Sequence, residues 1–266
     1  MKFSIITPNH NGGAYLEKTI QSVIEQRQGG IEVEYIIVDG KSTDNSHEIM
    51  NKYSSHIDHK IVENDSGPAN AINKGLRLAT GDILAWLGAD DIYYPDTLNR
   101  IEKEMSASPD APFCFGGCPI INPEGEEIRN AITRFKKCFF PISSRFTFQC
   151  INYISQPALF FRRATYLEAG PIREDMIAAW DYEFILRLYH SGAGMVISGK
   201  PLSAFRWHEG SISGQYFQTQ FQEEYDAAIV DAGRFSLQGI LHYFVRLGIV
   251  GVYSAMSKKR AKEISV

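Results

Sequence analysis

ENDSGPANAINKGLRLATGDILAWLGADD, residues 63 to 91, closes one short strand, runs through a helix and a second strand, and stops on two aspartates. Lys60 to Glu63 is the short β-rich run. Ala69 to Ala79 reads as a helix, and Ile83 to Leu87 is an apolar strand, ILAWL. A strand, a crossover helix and a second strand make a right-handed βαβ unit, the building block of a parallel sheet covered on both faces. Asp90 and Asp91 follow the second strand directly.

The same alternation extends in both directions. Lys2 to Thr7 is a strand, followed by Leu16, Ile20, Val23 and Ile24 at helical spacing. Val33 to Val38 is the next strand, and Ser42, Thr43 and Asp44 offer caps for a helix through Tyr53. Pro95 suits the first position of a helix that reaches about Met105. Beyond Pro112 the pattern changes. Phe113 to Ile121, the turn Asn122-Pro123-Glu124-Gly125 and a shorter extended run predict a hairpin or an edge extension. Phe135 to Asn152 is aromatic and basic without a period and reads as a loop. Strands are expected at Pro157 to Phe161, Gly194 to Ile197 and Leu202 to Phe205, with a helix over Tyr182 to Tyr189. Two helices, about Tyr216 to Ala232 and Leu237 to Met256, close the chain. The expected organisation is one α/β domain over residues 1–214 and a helical tail over 215–266.

Composition narrows the function. The chain has 266 residues, 44% of them hydrophobic, and a net charge of −4, which argues against a nucleic-acid coat. Cys114, Cys118, Cys138 and Cys150 are too few for a disulfide framework. The C-x3-C of FCFGGCPI lacks a second ligand pair, so buried thiols are a better reading than zinc. MKFSIITPNHN has no signal-peptide pattern, which predicts a cytoplasmic protein. Neither a P-loop nor a G-x-G-x-x-G after a strand occurs, so an ATP or dinucleotide site lacks its phosphate cradle.

Ligands of an open α/β sheet sit at the carboxyl ends of its strands. Four strands end in polar or flexible residues: ITPNHNGG, VDGKSTDNS, ENDSG and GADD. A lone Asp in such a place is often a helix cap, as Asp44 could be, but four ends in register point to a site. Two adjacent carboxylates, Asp90 and Asp91, repel unless a cation joins them. Mg²⁺ is a natural partner because it completes its shell with substrate phosphates. The bland alternative is that both merely cap the helix near Pro95.

With SQPALFFRR, WDYEFILRL and FRWHEGSISG further along, the chain resembles the family 2 glycosyltransferases of the GT-A fold, from about residue 3 to residue 214. The resemblance implies an inverting enzyme that uses a nucleotide-sugar, here a UDP-sugar, and a glycan or lipid-linked acceptor in cell-surface polysaccharide synthesis. It implies that Thr7 and Asn9 hold base and ribose, that Asp39 reads the imide N–H of uracil, and that Asp65 is a further nucleotide-side residue. Asp90 would face the ribose or sugar. Asp91 would bind Mn²⁺ or Mg²⁺ with His208 as a second ligand. Asp181 matches the catalytic base. Trp180 departs from the acidic residue common before that base, and with Gln156 it is a candidate for the acceptor pocket. Glu183 is the weaker base candidate, and His10 reads as a loop hydrogen bonder. The Arg162-Arg163 pair lies in the acceptor region, where solvated surface is the commoner fate of such a pair.

Two other functions compete. A nucleotidyltransferase would need a basic activating residue after the first strand, where no Lys-rich signature stands. An inactive glycan-binding or scaffold protein would not need Asp39, Asp90, Asp91, Asp181 and His208 together. The tail carries Ile240, Tyr243, Phe244, Leu247 and Val250 on one helical face, then Lys258, Lys259, Arg260 and Lys262. His242 and Arg246 interrupt it, against a spanning helix. An anionic membrane surface suits it better, and packing on the domain or on a second copy is the alternative.

Overall fold

Lys2–Asn9 (β1) is the centre of the molecule, because parallel strands flank it on both sides and leave its apolar side chains buried. Next come Gly13–Ile24 (α1), Glu32–Asp39 (β2), Ser46–Lys52 (α2), His59–Val62 (β3), Pro68–Leu78 (α3) and Ile83–Trp86 (β4). The computed structural model describes residues 1–264, with side chains as far as residue 251. The chain continues through Ile92–Tyr93 (β5), Thr97–Ala107 (α4), Phe113–Gly116 (β6), Ile120–Ile121 (β7), Glu127–Ile128 (β8), Asn130–Lys137 (α5) and Arg145–Cys150 (α6). Leu159–Arg162 (β9), Arg163–Ala169 (α7), Trp180–Leu188 (α8), Met195–Ile197 (β10) and Ser203–Arg206 (β11) follow. Ile212–Gln215 (α9), Phe217–Ala232 (α10) and Leu237–Ile264 (α11) end it.

The main sheet has the order β10-β6-β9-β4-β1-β2-β3 and is parallel apart from β9, which runs against β4 and β6. Pairing of Asn9 with Asp39, and of Asp39 with Val62, brings the first three strand ends level. Side chains alternate across the sheet. Phe3 and Ile5 therefore join the layer of Leu16, Ile20 and Leu98, while Ile6 and Trp86 join Ile72, Phe184 and Ala228 on the other face. Gly75 lets α3 lie close on β1, since a Cβ there would stand 2.5 Å from Ile6 Cγ2. Gly67, at φ 128°, turns the chain into α3, and Pro68 opens the helix.

A second sheet, β5-β11-β7-β8, stands beyond the fourth strand end. Its β7–β8 pair is the expected hairpin. Antiparallel pairing of β11 with β5 returns the chain to the Asp90–Asp91 turn.

Several expectations change. Residues 135–152 are not a loop: α5, a 3-10 turn at Phe140–Ile142 and α6 occupy them. These helices take their order from packing, with Phe148 buried against Tyr153 and Tyr182, so no local period announces them. Helix α4 begins at Thr97 and not at Pro95, because Asp96 is left-handed at φ 67°. Helix α7 is additional. Cys114 and Cys118 are buried free thiols, and burial pushes Cys118 up to about 12.

The tail is attached to the domain. Ala227 and Ala228 of α10 enter the core, and buried His242 of α11 sets its Nδ1 2.9 Å from the Gln149 carbonyl oxygen. The opposite face of α11, with Ile240, Phe244 and Leu247, is exposed, Phe244 at 64%. The basic cluster Lys258, Lys259, Arg260 and Lys262 lies outside the described side chains. Among the described residues no helix is long and apolar enough to cross a membrane.

Candidate active site

A cavity of about 580 Å³ opens at the carboxyl edge of the main sheet. Asn9, Asp65, Asp90, Asp91, Gln156, Trp180, Asp181 and His208 all line it. The topology explains the meeting: β1, β3 and β4 end at this edge, β11 returns to it, and α8 aims its first turn at it.

Two expected residues stand behind the wall. Thr7 is buried, with its hydroxyl 3.1 Å from Tyr35 Oη. Asp39 is 0% exposed. Its Oδ2 accepts from Asn9 Nδ2 at 2.6 Å and Ser42 Oγ at 2.7 Å, and its Oδ1 accepts from Ser42 N at 2.9 Å. His47 Nε2 stands 3.3 Å from Oδ1 as well, so in this structure Asp39 orders the loops. Asn9 stays at the wall, and its Oδ1 has no hydrogen-bond partner among the described residues. Asp65 accepts from Gly67 N at 3.0 Å, and its Oδ2 would stand 2.5 Å from a Cβ on Gly40. Close approach of the two loops therefore requires that glycine. His10 sets Nδ1 3.1 Å from the Gly40 carbonyl, the loop bond expected of it. Asp44 accepts from Gly13 N and Ser46 N, the role of a cap.

Asp90 and Asp91 do not cap α4. Both carboxylates converge on Gly88, where a Cβ would lie 2.8 Å from Asp90 Oδ1 and 3.1 Å from Asp91 Oδ2. Burial pushes the Asp91 carboxyl well above its ordinary range, and the Asp90 charge adds to the effect. Asp91 Oδ1 accepts from Arg206 N at 2.8 Å. His208 Nε2 lies 3.0 Å from Asp90 Oδ2, so the imidazole faces Asp90 where Asp91 was expected as its neighbour. The cause is the inward turn of Asp91 toward β11. Among the described residues no three Asp, Glu, His or Cys side chains form a complete metal-ligand set. The paired Asp90 carboxylate and His208 imidazole are donors of the kind a divalent cation takes when a diphosphate supplies further oxygens.

Asp181 lies in the first turn of α8. Crowding by its neighbours removes water and pushes its carboxyl up to about 6. The turn is anchored by Glu223, whose carboxylate accepts from Ile177 N, Ala178 N and Ala179 N at 2.8–2.9 Å. Glu183 is turned away and bound to Arg187 at 2.8 Å. Trp180 packs 5.9 Å from Trp86, centroid to centroid, and its indole N–H has no hydrogen-bond partner among the described residues. Gln156 donates to the Trp86 carbonyl at 2.7 Å, which fixes it across the pocket floor. Arg162 donates to the carbonyls of Ala111, Met105 and Ser108, a structural and not a solvated role.

Sequence reasoning missed three residues. Arg206, 1% exposed, donates through Nε to the Asp90 carbonyl and through Nη1 to those of Asn122 and Pro123. An arginine inside a β-rich run two residues before His208 was the available signal. Lys136 reaches the pocket from a segment without period. Glu224, buried in α10, was hidden in a polar stretch of tail.

The fold is a GT-A type α/β architecture with one pocket at the carboxyl edge of its main sheet. Residues 4–167 match the family model for glycosyl transferase family 2. The chain belongs to that family, and the enzyme class it shares is glycosyltransferase. It is 30% identical over 186 residues to a PGL/p-HBAD biosynthesis glycosyltransferase of Mycobacterium tuberculosis, covering 68% of this chain and 67% of that one. An uncharacterized glycosyltransferase of Nostoc is 37% identical over 111 residues, 41% of this chain and 34% of its own length. The chain thus spans about a third of that relative and two thirds of the mycobacterial one. Among solved structures, Staphylococcus aureus TarS 1-349 in complex with UDP-GlcNAc shares the fold, with a TM-score of 0.71, 20% identity and coverage of 91% of this chain and 69% of that one.

Proposed function

We propose that this chain transfers a sugar, with inversion, from a UDP-sugar to a hydroxyl of a glycan or lipid-linked acceptor in cell-surface polysaccharide synthesis. One observation carries the reading. A single cavity joins the Asp90–Asp91–His208 corner to Asp181, a carboxyl tuned for proton transfer. The TarS fold match in complex with UDP-GlcNAc, and a Bacillus subtilis relative named as a putative teichuronic acid biosynthesis glycosyltransferase (36% identical over 126 residues), support donor and product class.

Asn9 and Asp65 would border the nucleoside, with Asp39 holding Asn9 in place. Asp90, Asp91 and His208 would hold Mn²⁺ or Mg²⁺, which supplies positive charge against the departing diphosphate. Asp181 would take the acceptor proton as the hydroxyl attacks, and Trp180 and Gln156 would orient the acceptor. Attack from the face opposite the leaving group inverts the anomeric centre. The exposed face of α11 would rest on an anionic membrane surface. Thermal shift with UDP and Mn²⁺, alone and together, tests the assignment. Joint stabilisation beyond the separate effects is expected, and its loss in Asp91→Ala. Absence of any joint effect in the parent protein would remove the donor site from this cavity.

A further inference from the structure

Beside the catalytic pocket lies a second cavity of about 660 Å³, enclosed by α5, the β7 and β11 edge, α10 and α11. Its wall is mostly apolar, with Ile132, Trp207, Phe217, Phe221, Val245 and Ile249 among its residues. The two cavities share Lys136, Asn152, Ser155, Phe205, Ser213 and Gln220, so they meet along a common neck that is polar apart from Phe205. A volume of this size matches the roughly 300–1,000 Å³ of ordinary small-molecule sites.

Polar groups stand at defined places in that apolar wall. Glu224, 4% exposed, accepts from Asn152 Nδ2 at 3.0 Å and from Gln220 Nε2 at 3.1 Å. Thr133 Oγ1, Asn152 Oδ1 and Arg246 Nε are buried and have no hydrogen-bond partner among the described residues. Buried polar atoms are normally paired, because an unmade bond leaves the desolvation of its group uncompensated. A wholly apolar occupant would leave these three unmade. An occupant with an apolar body and a polar end at the neck satisfies both kinds of surface.

We propose that this cavity holds the hydrophobic aglycone of the acceptor, whose hydroxyl-bearing end passes the neck at Asn152 and Gln220 to reach Asp181. The inference rests on the glycosyltransferase reading and adds to it the acceptor class: a sugar or alcohol carried on a hydrocarbon tail. Continuity with the catalytic pocket favours this occupant over a helix of a second copy, which would fill the cavity without using the neck. Helix α11 also suits the assignment. Val245 and Ile249 turn into the cavity while Ile240, Phe244 and Leu247 face outward, so the helix is apolar on both sides where a lipid would approach.

The test uses the full chain and n-alkyl β-D-glucosides of six to ten carbons, below their micellar range, in isothermal titration without donor. Affinity is expected to rise roughly fourfold per added methylene until the cavity fills, the ratio that corresponds to ~0.8 kcal/mol. Val245→Phe narrows the cavity. Gly248→Phe narrows its rim on α11, where a Cβ meets nothing within 4 Å, so this variant is unstrained. Each is expected to weaken decyl glucoside at least tenfold and to leave UDP binding unchanged, which also verifies folding. Affinity independent of chain length, or parental affinity in both variants, overturns the proposal. So does decanoate binding as tightly as decyl glucoside, since that describes a fatty-acid site. Failure of UDP to bind the parent protein breaks the glycosyltransferase reading instead, and the alkyl series separates the two failures.

Discussion

The nucleotide side of the pocket and its acceptor side solve the same problem in opposite ways. On the proposed nucleotide side, the ends of β1 and β2 bind one another: Asn9, Asp39 and Ser42 form a closed network, and Asn9 Oδ1 is left at the wall without a partner among the described residues. On the acceptor side, Asp181 and Glu224 are carboxyls held where water is scarce, pushed up to about 6 and about 7 by burial. Trp180 Nε1 and Asn152 Oδ1 stand nearby without partners among the described residues. A network closed on itself is rigid before any ligand arrives. A wall with unmade bonds gains most when the right polar group completes it. The contrast accords with a donor site that is preformed and an acceptor site that selects.

The largest expected effect tests the acceptor side directly. Asp181→Asn keeps the shape but cannot take a proton, so kcat should fall by roughly 10²–10⁴ while UDP affinity holds. The base must be ionised to act. Turnover should therefore fall as pH drops through about 6, one decade per unit, and this limb should vanish in the variant. Glu183→Gln is the control, since its carboxylate is bound to Arg187. A dead Glu183→Gln beside an active Asp181→Asn would reassign the base.

Arg206 ties the two sides together, from β11 to the Asp90–Asp91 turn. Arg206→Met removes three side-chain hydrogen bonds, to the carbonyls of Asp90, Asn122 and Pro123, and leaves those carbonyls short. Leaving polar groups without their partners costs about 1–3 kcal/mol. A denaturant midpoint shifted by that amount is expected, with loss of metal-dependent UDP binding. Unchanged stability would show that the turn holds without its arginine.

How much of this could be read beforehand follows the same division. The first four strands and the helices α1 to α4 were legible, apart from the start of α4, because they follow one another as βαβ units; the two-residue β5 was not, since it takes its order from β11. The residue types gathered at the strand ends were legible as well. The acceptor side was not: α5 and α6 have no dominant period, and their order comes from Phe148, Tyr153, Tyr182 and Tyr189 packing across four segments. Lys136 and Glu224 sit on helices whose neighbours are far away in sequence. Asp39 shows the converse limit. Its position was legible, but not that Asn9 and Ser42 would take up its oxygens.

Glu224 offers a smaller and differently signed effect. Burial raises the carboxyl to about 7 from an ordinary 4.5, so between those values the folded protein holds a proton that the unfolded chain releases. Stability from this group is fullest below pH 4.5 and is lost as pH rises to about 7. Glu224→Gln keeps an oxygen for Asn152 and Gln220 yet carries no charge. It should raise the melting temperature at pH 8 by an amount corresponding to about 2–3 kcal/mol, and by little at pH 5. A gain of equal size at both pH values would assign the effect to packing and not to charge.

Trp180→Phe has the smallest expected effect on stability and the most pointed consequence for the comparison. The indole N–H of Trp180 is buried without an acceptor among the described residues, a liability of about 1–3 kcal/mol that phenylalanine does not carry. The smaller ring also gives up contact with Trp86, 5.9 Å away, and so leaves a void whose cost is of similar size and opposite sign. Net stability should then change by less than about 1 kcal/mol. If the indole is there only to fill space, turnover at saturating acceptor and acceptor KM should both stay where they were. If its N–H and its face receive the acceptor beside Asp181, KM for the acceptor should rise about tenfold at unchanged donor KM, because one hydrogen bond and part of a stacking surface are lost. A rise in donor KM instead would place Trp180 on the nucleotide side, and the division of the pocket drawn between a closed half and an unfinished one would have to be redrawn through α8.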